Sequence, residues 1–315
     1  MKTYHTHSRK HIFFIWEGKS MSFLRAMTLI SFRNHHKDWD ITLITFNSNL
    51  NTLQQLSKHR KFCDIQTNIL SELSREDEFD NLSLCKDANI NIVDFYKEYS
   101  NVPGIKNALV NHKKDLLNWY LLSKNNCVVA DMDILFTGSL DREYNTFLKS
   151  NAEFGTVCYK RLPKKNYISV SLMFGKESEF CEELFYKGIK NYDASVYESC
   201  GSHLFPPSFS EKIHDPACER FFSISEELIF PLTTKMTIKE AMNTQYNTNY
   251  IFSSQDLPLV SILADYNILN LNKTAGIHWY GGNLKSQKFN NRITHENYKD
   301  NNTFISYFIK KNYTK

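Results

Sequence analysis

The chain has 315 residues, 42% hydrophobic, 23% charged and 14% aromatic, with a formal charge of +4 at pH 7. This composition supplies a sizeable core, argues against wholesale disorder and, with its mixed signs, does not imply a nucleic-acid partner. No window approaches the roughly 20 apolar residues of a membrane span, Lys2–Lys10 lacks the apolar stretch of a signal peptide, and seven scattered cysteines without a C-x-x-C pair disfavour a disulfide scaffold or zinc knuckle.

In chain order, the continuous apolar run His11–Trp16 (HIFFIW) reads as a strand buried on both faces and ended by Gly18. Phe23, Leu24, Met27, Ile30 and Phe32 then recur near helical spacing, and Ile41–Phe46 (ITLITF) is a β-branched strand, so a βαβ unit is predicted. Residues 48–100 are polar and lack a clear period; helices and loops decorating the sheet are expected there. Pro103–Gly104 is expected to open a long helix carrying Leu109, His112, Leu116, Leu117, Tyr120 and Leu121, which leads to a short strand at Cys127–Ala130. Glu153–Tyr159 and Tyr167–Phe174 read as strands, Glu177–Lys190 as a helix and Gly201–Pro207 as a loop. Cys127 and Cys158, inside apolar runs, read as buried small hydrophobes. With no repeat or linker visible, one α/β domain is expected, its core about 11–290, followed by a tail at 291–315. The chain reads as cytoplasmic. Lys310–Lys315 beside the apolar Phe304–Ile309 is the basis for peripheral contact with an anionic membrane surface, a frayed C-terminal helix being the plainer reading.

The chemistry concentrates in CVVADMDILFTGSL, Cys127–Leu140. Two carboxylates at i and i+2 after a strand can converge on one hard divalent cation, and the carboxyl end of a strand is where open α/β sheets bind ligands. Asp131 and Asp133 have this placement. Spacing alone is weak, because chance supplies on the order of one D-x-D in a chain this long. Asp38 and Asp40 repeat the spacing but precede a strand, so they read as turn residues.

Several blocks in order resemble glycosyltransferases of the D-x-D sugar-binding group, which includes capsular, Och1-like and toxin-type enzymes: HIFFIWEGK, LISFRNHHKDWDITLIT, KKDLLNWYLLSKNNCVVADMDILFTGSL, YISVSLMFGKESEF, GSHLF, IFPL and GIHWYGGN. They span residues 11–283. The resemblance implies a GT-A fold, a Rossmann-like mixed, mostly parallel sheet flanked by helices. It also implies transfer of a hexose or N-acetylhexosamine from a UDP- or GDP-sugar to a glycan or glycolipid acceptor, with retention at the anomeric carbon and dependence on Mn2+ or Mg2+. Trp16 would stack on the base, Asp115 would bind ribose or donor-sugar hydroxyls, Asp131 would contact ribose and metal-bound water, Asp133 would ligate the metal, and His278 would be a further metal or diphosphate contact. Asn118 and Trp279 complete the implied donor-binding set. Asn118 stands where the family usually has Arg, and Asn125-Asn126 where it prefers Gly-Gly; the first change removes a cationic contact to sugar or phosphate.

Structural readings stand beside these. Trp16 fits a core, Asp115 a hydrogen bond to a loop, and His278 a structural histidine, while His35, His36 and His203 lack partners at metal spacing and read as surface or loop residues. Two other functions compete. VVADMDILF superficially resembles the nucleophile strand of a HAD-type phosphohydrolase, although Leu135 departs from it. The Asn118 and Asn125-Asn126 changes suit a degenerate transferase kept as a binding module.

Overall fold

The apolar run near the N-terminus forms the strand β1 (His11–Glu17). Its side chains alternate between two buried faces: Ile12, Phe14 and Trp16 enter one hydrophobic cluster, Phe13 and Ile15 another. Helix α1 (Phe23–His35), capped by the Ser22 hydroxyl accepting from the Arg25 N–H, delivers the chain to β2 (Asp40–Phe46), parallel to β1 with His11 opposite Asp40. The predicted βαβ unit is present. The computed structural model describes residues 9–18, 20–46, 67, 71–72, 79–162, 165–206, 208–209, 219–231, 251–252 and 273–313. Cys63, Cys218 and much of the 48–100 segment lie outside the described residues.

Within 48–100, α2 (Asn81–Asp87) precedes β3 (Asn91–Asp94), a parallel edge strand beside β2, and α3 (Phe95–Glu98). The expectation of helices and loops alone is corrected here: a four-residue strand without fully buried side chains leaves no apolar period to read. The long helix, α4, spans Val110–Lys124 and does not begin at Pro103–Gly104. Gly104 sits at a φ of 78°, outside right-handed helical space, and turns the chain instead. Then come β4 (Asn126–Ala130), β5 (Ile134–Phe136), α5 (Asp141–Lys149), β6 (Phe154–Leu162), β7 (Lys165–Lys176) and α6 (Glu179–Lys190). β8 (Phe221–Ile224), β9 (Gly276–His278), α7 (Leu284–Asn290) and α8 (Phe304–Asn312) complete the described elements.

The main sheet has the order β3-β2-β1-β4-β7-β6-β8. β7 is antiparallel to β4 and to β6, and the other neighbouring pairs are parallel. Residues of α1 pack on one face of β1 and residues of α4 on the other, so the architecture is the expected α/β one, a mixed and mostly parallel sheet flanked by helices. The chain moves outward from β1 to β2 and β3, then returns to β4 on the other side of β1. That reversal opens a crevice beyond the carboxyl ends of β1 and β4, the position at which such sheets take ligands.

The C-terminal residues are docked. A reciprocal Thr303–Ser306 capping box starts α8, and Phe304, Ile305, Phe308 and Ile309 are buried with Phe23, Leu24 and Met27 of α1. The apolar side chains Phe304, Ile305, Phe308 and Ile309 beside the basic end therefore pack against the protein. No helix among the described residues is long and apolar enough to cross a membrane. Cys127 and Cys158 are buried free thiols, as expected.

His36 corrects the surface reading, being only 1% exposed. It stacks on Phe32 at 3.8 Å, its Nδ1 meets the Phe32 carbonyl at 2.8 Å, and its Nε2 accepts the Leu140 N–H at 2.8 Å. Burial pushes its pKa down to about 4, and burial does the same to His11, against the pull of Asp40. The unfolded chain thus takes up protons that the native state refuses, so stability falls as pH drops from the ordinary histidine value of about 6.5 through 4. His36 alone is expected to contribute on the order of 3 kcal/mol to that fall. Denaturant midpoints of the native protein and His36→Asn, followed from pH 7 to pH 4, check this: the variant should show the shallower decline.

Candidate functional site

The β4 ladder carries one residue past the strand, the Asp131 N–H donating to the Ser171 carbonyl at 2.8 Å. Met132 then turns into the core, 5% exposed, and its carbonyl accepts the Thr28 hydroxyl of α1 at 3.0 Å. With Met132 anchored, Asp131 and Asp133 on either side of it both line a cavity in the crevice. The Asp133 carbonyl accepts the Trp279 N–H at 2.9 Å, and β5 pairs antiparallel with β9, setting Ile134 opposite His278. Ligand atoms of Asp131, Asp133 and His278 consequently lie within 4.8 Å of one another.

The charges around them are arranged in detail. Asp131 Oδ1 accepts from Lys114 Nζ at 2.7 Å, and the same ammonium lies 3.7 Å from Asp115 Oδ1. Asp133 Oδ2 accepts the Gly281 N–H at 2.6 Å, and its Oδ1 lies 3.4 Å from His278 Nε2. Burial pushes the Asp133 carboxyl upward, but His278, Arg25 and the Gly281 N–H outweigh it and hold the group below the usual carboxylate range. Asp115 moves the other way, to about 7, through burial reinforced by the negative charges of Asp131 and Glu198 against the attraction of Lys114. Lys114 resists the effect of burial because Asp131 and Asp115 hold its proton, leaving its pKa raised.

This donor set fits a divalent cation. Asp131 Oδ2 and Asp133 Oδ1 accept no hydrogen bond from the described residues, and two carboxylates with one imidazole are a donor set for a divalent metal ion. The Tyr280 N–H donates to His278 Nδ1 at 3.3 Å and orients the ring, with Nε2 turned to Asp133 Oδ1 at 3.4 Å. Tyr280 holds a φ of 55°, a left-handed conformation costly for an aromatic residue, in the loop that supplies both His278 and Gly281.

The cavity walls described here enclose about 110 Å³, with Trp16, Glu17, Arg25, Lys114 and Tyr197 among their residues. That is below the roughly 300–1,000 Å³ of pockets enclosing a whole drug-sized ligand. Trp16 lies on the wall, mostly buried, its Nε1 donating to the Ser20 carbonyl at 3.1 Å. Asp115 sits behind Lys114 and against Gly201, where an added Cβ would fall 2.6 Å from Asp115 Oδ2. Asn118 is 3% exposed one turn further along α4 and is not part of the wall. Trp279 is 0% exposed, with no surface to offer a donor; its ring underlies Arg25, whose guanidinium carbon is 4.6 Å from the ring centre.

Arg25, Glu72, Lys114 and Tyr197 escaped the sequence reading. Arg25 donates through Nε and Nη2 to the two oxygens of Glu72 at 2.9 and 2.7 Å, and Gln287 and Asn290 donate to the same carboxylate at 2.9 Å each. A lone arginine on an otherwise apolar helix face was the one available signal for it. The network presses against Gly281: a Cβ there would sit 2.7 Å from Arg25 Nη1 and 2.8 Å from Cζ. Since the paired guanidinium has nowhere to move, Gly281→Ala is expected to lower stability by about 1–3 kcal/mol, and to weaken Mn2+ binding by displacing the N–H from Asp133. Thermal unfolding with and without Mn2+ reads both effects.

No protein-family model matches the chain, and no curated protein matches it. Among solved structures it is similar to the glycosyltransferase GlyE of Streptococcus pneumoniae, at 8% identity over 98% of this chain and 61% of that one, with a TM-score of 0.45. The PaToxG glycosyltransferase matches at 16% identity over 64% of this chain and 68% of that one, with a TM-score of 0.42. The galactosyltransferase LgtC, solved with donor and acceptor sugar analogs, matches at 11% identity over 85% and 86%, with a TM-score of 0.40. The chain thus spans about 61% of GlyE. At these identities and scores the likeness carries no argument about activity.

Proposed function

We propose that the chain is a divalent-metal-dependent glycosyltransferase that moves a hexose or N-acetylhexosamine from a UDP- or GDP-sugar to a glycan or glycolipid acceptor, with retention. The observation that carries this reading is the convergence of Asp131, Asp133 and His278 beside Trp16 and Lys114 in the crevice between β1 and β4. Asp133, Asp131 and His278 would hold Mn2+ or Mg2+. Such a cation, when bound, neutralises a diphosphate as the bond to the sugar breaks, which makes it a better leaving group without proton transfer. Lys114 pairs with Asp131, the Gly281 N–H holds and orients Asp133, and Trp16 supplies an aromatic wall backed by Arg25, 5.7 Å from its ring centre. The small volume within the described walls suits the diphosphate end of a donor.

A released-nucleotide assay across UDP- and GDP-sugars, with Mn2+ and with chelator, tests the proposal. The expected result is Mn2+-dependent release of UDP or GDP that chelator abolishes. Phosphate release from a phosphomonoester without nucleotide-sugar binding would instead favour the phosphohydrolase, and binding without turnover the degenerate module.

A further inference from the structure

Among the described residues two cations line the cavity, and they are held differently. Arg25 is committed: Glu72 takes two of its N–H groups and the rings of Trp16 and Trp279 cover it. Lys113, the neighbour of Lys114, is buried on Glu17 at 2.7 Å and is not part of the wall. Lys114 differs from both. Its side chain is 26% exposed, against 5% for Lys113, and its ammonium has three N–H groups for the two carboxylates near it.

The backbone around it has the same polarity. Val110 and Asn111, in the first turn of the 15-residue helix α4, line the same cavity, and the N-cap residue Leu109 places no side-chain hydrogen bond on that turn. The positive end of α4 and the ammonium one turn in therefore act on the same space. Asn118, at i+4 from Lys114, falls on the same helix face but is buried and away from the wall. A cation at position 118 would start a full turn deeper than one at position 114.

We propose that Lys114 is a donor contact: with a divalent cation on Asp131 and Asp133, its ammonium binds an oxygen of the donor diphosphate and supplies the cationic contact that position 118 lacks. This rests on the donor-site reading above. Lys114 is the counter-charge of Asp131 at 2.7 Å; a cation taking over that task would release the ammonium to the ligand. The inference makes binding of metal and binding of diphosphate respond to Lys114 in opposite directions, which a structural role for the residue does not.

Isothermal titration of the full chain with Mn2+ alone, with inorganic pyrophosphate plus Mn2+, with UDP and GDP plus Mn2+, and with uridine and guanosine reads these terms separately. Lys114→Gln is expected to weaken pyrophosphate and the preferred nucleoside diphosphate by about tenfold to a hundredfold, the worth of a charge-assisted hydrogen bond. It should leave nucleoside binding unchanged and bind Mn2+ at least as tightly, while Lys114→Arg retains most of the diphosphate affinity. Parallel loss of Mn2+, nucleoside and diphosphate would make Lys114 structural and overturn the proposal. Amine-reactive labelling of Lys114 in the unsubstituted protein, read by mass spectrometry, avoids any folding defect: Mn2+ should raise labelling and added pyrophosphate should suppress it, and absence of that protection counts against the assignment. If the native protein binds neither UDP nor GDP, the donor-site reading falls and this inference with it. If it binds one of them and Lys114→Gln binds it equally well, only the role of Lys114 falls.

Discussion

Asp133→Asn is expected to reduce Mn2+-dependent turnover by on the order of a thousandfold or more, the several kcal/mol that a bound cation contributes to stabilising a departing anion. The substitution preserves shape, and its side-chain oxygen can still accept the Gly281 N–H that Asp133 Oδ2 receives at 2.6 Å. What it removes is the charge facing His278 and Arg25, which together with the Gly281 N–H hold the Asp133 carboxyl below the usual carboxylate range despite its burial. Folding should therefore survive while cation affinity collapses. Nucleotide release, Mn2+ titration and a melting curve on the same sample separate these effects. Turnover within tenfold of the native protein would sink the assignment of Asp133 as a metal ligand. Asp131→Asn should be less clean, because it also leaves Lys114 with Asp115 as its remaining anionic neighbour.

Glu72→Ala carries the largest expected loss of stability, about 3–5 kcal/mol. Both carboxylate oxygens are engaged, each by one Arg25 nitrogen and by the amide of Gln287 or Asn290, and the side chain is 3% exposed. Truncation strands the Arg25 guanidinium, itself 8% exposed, between two tryptophan rings. Breaking a buried pair costs more than replacing it, so Arg25→Met with Glu72→Met should recover part of the loss. Chemical denaturation of the single and double variants tests this, and a double variant as unstable as Glu72→Ala would show that the cost is not one of unpaired charge. Because Gln287 also bonds the Gly281 carbonyl, Glu72→Ala should loosen the loop that orients Asp133, so Mn2+ affinity should fall along with stability.

The frame of the fold is legible in local pattern. Apolar runs and helical spacing place β1, α1, β2 and β4, because burial on one or two faces writes a period into neighbouring residues. Chain order also separates the pairs at Asp38/Asp40 and Asp131/Asp133, one at the amino end of a strand and one past the carboxyl end, although Asp40 is the first residue of β2 and not the turn residue expected. The short edge strand β3 and the true start of α4 were illegible, the first for want of length and the second because a single glycine conformation decides it.

The wiring of the site comes from packing between distant elements. Glu72 meets Asn290 across 218 residues, Gly281 meets Asp133 across 148, and His278 reaches Asp133 through the pairing of β9 with β5. Such contacts leave no local period. That packing also separated two residues that look equivalent in KKD, turning Lys114 to the cavity and burying Lys113 on Glu17, and it placed Trp16 on the wall while closing Trp279 beneath Arg25. A period records which face of an element is buried; the partner that covers that face is set by the packing of distant elements.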